Sequence, residues 1–129
     1  MVNKPLHPSQ WAAGVRKAIA TVASVRGRPR RVVVSGESMR PALEAGDRLL
    51  VVPVARARPG QVVAVRDPRL PRRVLVKRVN AVLPGGLDVR GDSGEASTDS
   101  RVFGPVPHRD LLGVAVYRYH PPNRAGRIA

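Results

Sequence analysis

A serine in the first apolar region and a lysine in a later one are the two residues whose chemistry could be combined. Ser38 lies in the turn that interrupts VVVSGESMRPALEAGDRLLV, residues 32–51, and Lys77 lies in RRVLVKRVNAV, residues 72–82. A serine hydroxyl is a weak nucleophile until a neighbouring base takes its proton. A lysine can be that base only if desolvation lowers the pKa of its amine toward neutrality. If Ser38 is a nucleophile, Lys77 is therefore its best partner in this chain.

The residues around Lys77 suit that requirement. Alternation along a strand puts Leu75, Lys77 and Val79 on one face, so the lysine has apolar neighbours. Arginine supplies 20 of the 23 basic residues, and Lys77 is the one lysine beyond residue 17. Arginine keeps its proton in proteins, whereas a buried lysine can lose it. Two simpler interpretations stay open: Lys77 extends along its neighbours into solvent, and Ser38 is an ordinary turn residue.

Composition limits the possible cofactors and partners. The chain of 129 residues has no cysteine and three scattered histidines, which predicts no metal and no cofactor. A formal net charge of +14 favours polyanions. However, the arginines are dispersed, and four aromatic residues offer little for base stacking. We therefore expect no specific nucleic-acid partner, while peripheral contact with an anionic membrane stays open.

The elements that must position Ser38 and Lys77 are mostly strands. Short valine-rich runs separated by proline and glycine turns predict a small, irregular, mainly antiparallel β domain preceded by one N-terminal helix. The helix is expected over about residues 10–24, and PGG at 84–86 predicts a tight hairpin turn. The expected strands are 31–35, 47–54, 61–66, 73–83, 86–91 and 111–119. The chain divides into an N-terminal helix and basic linker (1–30), a catalytic domain (31–120) and a flexible C-terminal tail (121–129).

The N-terminal region is the candidate for membrane insertion. Arg16 and Lys17 interrupt its apolar residues, so we expect neither a transmembrane segment nor a cleavable signal peptide. The helix has an apolar face that could pack on the domain or lie on a membrane surface. The expected location is therefore cytoplasmic or peripherally membrane-associated.

Four segments together resemble the type I signal peptidase family of Ser–Lys endopeptidases. In chain order they are SGESMRP (35–41), GDRLLV (46–51), VKRV (76–79) and GDSGEASTDSRVFGPVP (91–107). The serine turn alone is weak evidence and the Lys-Arg pair is weaker still, whereas the segment 91–107 is the most specific. The segments match the family in order and approximate spacing. The resemblance extends over about residues 32–113.

The resemblance implies a role for each matching residue. Ser38 would be the nucleophile, Lys77 the general base, and Ser97 the hydroxyl that orients the lysine amine. The backbone N–H of Ser38 would stabilise the oxyanion, and Gly36 occupies a position where some relatives supply a serine hydroxyl. The wall next to the site would be formed by Gly91, Asp92, Asp99 and Arg101.

The resemblance also implies how a substrate binds. An extended peptide would lie beside two segments of the domain, contacting Val34, Ser35, Gly36, Leu75 and Val76. Cleavage would follow a small residue and remove a leader, signal or propeptide from a precursor protein, with the enzyme acting as a monomer. A compact chain with neither a membrane anchor nor a large extra β region resembles the nickel-type superoxide dismutase maturation protease.

Other functions stay open at this point. A general signal-peptide or propeptide peptidase has the same chemistry, and a family member could also be inactive. A self-cleaving repressor protease shares the Ser–Lys pair, but thirty N-terminal residues are too few for its DNA-binding module. The alternative from another class is a basic nucleic-acid-binding module without catalysis.

Overall fold

The computed structural model describes residues 8–94 and 98–129, with side chains described from residue 12 onward. One mainly antiparallel sheet dominates this part of the chain, which confirms the predicted fold class. Helix α1 spans Pro8–Ala20 and the short helix α2 spans Ser100–Phe103. The strands are β1 Arg30–Val33, β2 Arg48–Val52, β3 Val62–Asp67, β4 Leu70–Leu83, β5 Gly86–Arg90, β6 Leu111–His120 and β7 Gly126–Arg127.

The order of the strands in the sheet is β1-β2-β6-β3-β4-β5, and β7 adds to β6. The predicted turn at 84–86 joins β4 and β5, whose last pair is Leu83 with Gly86. Strands β2 and β3 are consecutive in the chain but are separated in the sheet by β6. The long strand β4 therefore lies far from β1 in the sheet order, although both contribute to the site described below.

Both faces of the central strands are buried, which explains their continuous apolar runs. In β2, Leu50 and Val52 pack into one hydrophobic cluster, while Leu49 and Val51 pack into a second. Strand β3 divides its residues between the two clusters in the same way. Antiparallel strands that lose solvent on both faces need apolar residues at every position rather than at alternate ones.

Helix α1 covers the first of these clusters. Val15 and Ala18 are buried there, and Ile19 and Val22 pack against it. Gly14 allows close approach to β6, since a Cβ at this position would lie 3.0 Å from the ring of Tyr117. Of the two predicted roles for the apolar face, the structure shows packing on the domain. The helix ends at Ala20, four residues earlier than expected.

The last nine residues, expected from the sequence to be a flexible tail, contact the sheet. Residues 126–127 form β7, and the Ile128 N–H donates to the Val116 carbonyl at 3.2 Å. Arg124 forms ion pairs with Glu44 and with the buried Asp47. Because β7 pairs with β6, this segment is part of the sheet.

Within residues 8–94 and 98–129, no helix combines the length and the apolar character needed to cross a membrane.

Candidate active site

A groove of about 370 Å³ lies between the end of β1 with the turn that follows it and the first half of β4. One wall is formed by residues 33–38 and the other by residues 73–77, with Arg69 and Thr98 completing the lining. Ser38 and Lys77, 39 positions apart in the chain, thus line the same groove. The fold brings together the two residues whose chemistry could be combined.

The turn that carries Ser38 is anchored from both sides. Met39, the next residue, is 1% exposed and packs in the second hydrophobic cluster. The Ser38 carbonyl accepts hydrogen bonds from the backbone N–H and from the hydroxyl of Ser93, each at 3.0 Å. Ser38 itself is half-buried. Its main chain is therefore fixed while its side chain remains at the groove.

Lys77 is a buried lysine, with 4% of its surface exposed. It lies opposite the fully buried Val63 in the β3–β4 register, on the face that carries the first hydrophobic cluster. Burial lowers the pKa of the Lys77 amine, and the charges of Arg101 and Arg69 lower it further, whereas the charges of Asp99 and Asp67 oppose this. The interpretation of Lys77 as a lysine that reaches solvent is therefore wrong.

Asp99 organises the loop that contacts the serine turn. It is 0% exposed, and its carboxylate accepts from the Gly91 N–H at 3.0 Å and from the Arg101 N–H at 3.1 Å. The Arg101 guanidinium donates to both carboxylate oxygens, at 3.0 and 2.7 Å, and to the Gly94 carbonyl. These bonds fix the loop from which Ser93 reaches Ser38.

The four residues predicted to form the wall do not line the groove directly. Gly91, Asp99 and Arg101 stand behind it in the hydrogen-bonded network just described. Asp92 lies on another side, where the guanidinium of Arg78 donates two hydrogen bonds of 2.9 Å to its carboxylate. Ser97, predicted to orient the Lys77 amine, lies outside the described residues.

The residues predicted to bind a substrate strand all line the groove, but they differ in what their backbones can offer. The N–H of Val34 donates to Asp47 and its carbonyl accepts from Gly46, both at 2.8 Å. Ser35 and Gly36 are exposed and lie outside the helices and strands. Within the described part of the chain, neither makes a backbone–backbone hydrogen bond such as those of Val34. Backbone contacts to a peptide on this wall are thus expected from these two residues rather than from Val34.

The opposite wall presents a strand edge. In the part of the chain that the structure describes, β5 pairs with β4 only from Arg78 onward, in register with Arg90. Leu75 and Val76 pair with β3 on their other side. The groove side of this half of β4 is therefore an edge at which an extended peptide can add a strand.

Sequence reasoning missed several residues at the site. Arg69 and Arg73 line the groove, and Ser93 binds the Ser38 carbonyl. Ser93 stands inside a segment that resembles the family, so its position gave a usable signal. The two arginines stand among dispersed arginines in DPRLPRR, residues 67–73, and nothing in their spacing distinguishes them from surface residues.

No cluster of three or more histidine, aspartate or glutamate side chains that could hold a metal ion occurs in the described ranges. The groove lining offers hydroxyls, a buried amine, two guanidinium groups, a carboxylate and backbone amides. A hydroxyl and a buried amine in one groove of a small β domain are compatible with a peptidase of the serine type.

Comparison with known proteins gives the same class. The model of the family described as signal peptidase, peptidase S26, matches residues 10–86. The mitochondrial ATP-independent inner membrane protease subunit 1a of Arabidopsis thaliana is 34% identical over 122 aligned residues, covering 74% of this chain and 73% of that protein. The chain therefore belongs to the signal peptidase (peptidase S26) family, and the resemblance drawn from its sequence motifs is confirmed.

The family match covers the first three of the four motif segments but not the last. The match includes Ser38 and Lys77 and reaches back to residue 10, within α1. It ends at residue 86, before the segment 91–107 that had looked most specific. The contribution of Asp99 and Arg101 to the site therefore rests on their contacts.

Proposed function

We propose that this peptidase is an endopeptidase that removes a leader, signal or propeptide from a precursor protein, with Ser38 as nucleophile and Lys77 as general base. One observation carries the proposal: both residues line one groove, and burial lowers the pKa of the lysine amine. A desolvated amine can be neutral where an exposed one would be charged. An arginine in its place would remain charged.

The proposed reaction has two stages. In the first, the Ser38 hydroxyl attacks the scissile carbonyl while the Lys77 amine accepts its proton, and the resulting ammonium protonates the departing amine. In the second, Lys77 takes a proton from the water that attacks the ester. The new carboxyl terminus is released, and the Lys77 ammonium returns its proton to the departing Ser38 oxygen. Ser97 is proposed to orient the amine.

The turn around Ser38 supports a backbone oxyanion site. The Ser38 N–H is the proposed donor to the developing oxyanion, and the rigid anchoring of its neighbour Met39 and of its own carbonyl would hold that donor in place. Gly36 has no side chain to donate, and its φ of 80° is one that other residues rarely adopt. A hydroxyl at that position is therefore not part of the proposed mechanism.

Strand addition is the proposed mode of substrate binding. The peptide would lie between Ser35–Gly36 and the edge of β4 formed by Leu75 and Val76, with its scissile bond at Ser38. Apolar side chains flank this path, among them Val33, which is 59% exposed, and Val74. Small residues, such as alanine, are expected at positions one and three before the cut, as the family resemblance implies.

Mass spectrometry of precursor digests tests this proposal. The purified protein should cut a precursor after a small residue, and the downstream fragment should appear with a new N-terminus. Ser38→Ala and Lys77→Ala should each lower the rate at least about 1,000-fold, and Lys77→Arg should fail as well because guanidinium stays charged. Ser24→Ala and Lys17→Ala, at exposed positions outside the groove, are the matched controls and should retain activity. Cleavage by Lys77→Arg would refute the assigned base.

Two kinds of precursor separate the finer possibilities. We propose the leader of a nickel-type superoxide dismutase as one substrate and secretory signal peptides as the alternative, and both belong in the same digest. If neither is cut and DNA binding unaffected by Ser38→Ala is found instead, the nucleic-acid-binding alternative replaces the proposal.

A further inference from the structure

Two arginines that the proposed reaction does not use line the same groove as Ser38 and Lys77. Arg69 and Arg73 both belong to its lining. Arg73, Leu75 and Lys77 alternate along β4 and therefore share a face. At about 3.3 Å per residue, Arg73 lies about 13 Å along the strand from Lys77.

Arg69 is held rigidly in this position. Its guanidinium donates to both carboxylate oxygens of the buried Asp67, at 3.1 and 3.0 Å, and lies 5.1 Å from the ring centre of Phe103. Arg73 is less constrained. Its guanidinium lies 4.0 Å from Asp67, too far for a hydrogen bond, and its side chain is 56% exposed.

The charges at this end of the groove do not balance. Among the residues that the structure describes, the carboxylate of Asp67 is the ion-pair partner of both guanidinium groups, so one positive charge is in excess there. Within residues 8–94 and 98–129, the acidic residue of the groove lining is Glu37, which precedes Ser38 in the chain and forms an ion pair of 3.2 Å with Arg40. An anion from the substrate would complete the arrangement beside Arg73.

We propose that Arg73, supported by Arg69, forms a carboxylate-binding subsite for an aspartate or glutamate about four residues before the cleaved bond. The inference rests on the proposed function, because the position is counted from a peptide that lies along β4 with its scissile bond at Ser38. Four residues of extended peptide span about 13 Å, which matches the separation of Arg73 from Lys77.

This subsite defines the class of substrate. A leader that is apolar throughout this region would place hydrocarbon against two guanidinium groups and leave the excess positive charge without an anion. A leader that carries a carboxylate there would be favoured, and one that carries a lysine would be repelled. The groove thus fits a precursor with an acidic residue upstream of its small residues.

Paired peptides measure the preference. A fluorogenic peptide with alanine at positions one and three before the cut is made with aspartate, asparagine or lysine at position four, and a second series varies position five. Aspartate should raise kcat/KM about threefold to fivefold over the isosteric asparagine, and the ratio should fall in 0.5 M salt. Arg73→Glu should reverse the order, so that the lysine peptide becomes the better substrate.

Arg72→Glu is the matched control, because it changes the net charge equally at an exposed neighbour that does not line the groove. It should keep the preference for aspartate. Equal rates for the aspartate and asparagine peptides in both series would overturn the subsite while leaving the proposed peptidase intact. A reversal by Arg72→Glu as large as that by Arg73→Glu would overturn it as well.

Binding to Ser38→Ala, followed by fluorescence anisotropy of the same peptides, separates the two failures. If wild-type protein cuts none of them but the variant still binds the aspartate peptide more tightly than the asparagine peptide, the subsite stands and the proposed reaction fails. If no peptide is cut and binding is independent of charge, both are refuted.

Discussion

The burial of Lys77 predicts that this lysine destabilises the fold at neutral pH. In the unfolded chain its amine is protonated below about pH 10.5. In the folded chain the site is 4% exposed and the pKa is lowered, chiefly by desolvation. Folding must therefore either remove the proton or bury a charge. Methionine, which is similar in length and uncharged, avoids both costs, so Lys77→Met should be more stable than wild type while losing activity.

The size of the effect follows from proton linkage. Between the lowered pKa and 10.5, the unfolded chain binds up to one more proton at this site than the folded chain does. Stability then rises with pH by up to about 1.4 kcal/mol per pH unit. Lys77→Met lacks this contribution. Its advantage over wild type should therefore shrink as pH increases through this window and stop changing above 10.5.

Urea unfolding of both proteins at half-unit steps from pH 7 to 10.5 measures the difference. Effects of all other titrating groups are shared and cancel in the subtraction. Lys17→Met is the control, because this lysine is exposed on α1 and keeps its solvation on folding; its profile should run parallel to that of wild type.

Parallel profiles for wild type and Lys77→Met would refute the reasoning. They would mean that Lys77 binds its proton equally well in both states, so that burial does not prepare its amine as a base. A loss of activity in Lys77→Met would then need another cause.

The network behind the groove, a close contact within the sheet and the serine turn lead to further predictions. Asp99→Ala removes the acceptor of four hydrogen bonds and should lower the free energy of unfolding by about 1–3 kcal/mol in urea titrations; unchanged stability would contradict the role of this network. Gly113→Ala would place a Cβ 2.3 Å from a carbonyl of β2 and should destabilise by several kcal/mol, whereas Gly85→Ala, which meets nothing within 4 Å, should be tolerated. Thermal melts that rank these two variants in the reverse order would contradict the packing described. Met39→Ala should lower the free energy of unfolding by about 2–5 kcal/mol and reduce kcat, because it loosens the turn beside the proposed nucleophile; full activity would show that the anchor is dispensable.

Sequence patterns located most elements because strand formation here depends on local apolar runs. Strands β2, β3 and β6 lie within two residues of their expected bounds. Strand β4 begins at Leu70 rather than residue 73, since its start includes Pro71 and two arginines that resemble a turn. Strand β7 has two residues and owes its existence to β6, so no local pattern could reveal it.

The site was only partly predictable for the same reason. Ser38 and Lys77 could be selected by residue type, but their meeting depends on a sheet order in which β6 enters between β2 and β3. The burial of Asp99 and Lys77 arises from distant segments, and spacing along the chain does not encode it. Arg73 acquires its position from the groove, not from its neighbours in sequence.

The strand edge of β4 at the groove also matters for association between copies of the protein when no substrate is bound. A free strand edge usually invites another copy of the same chain to pair with it, which leads to aggregation. Here the half of β4 that does not pair with β5 faces the turn after β1 across the groove. The turn after β1 thus stands opposite the part of β4 at which a second copy of this chain could otherwise pair.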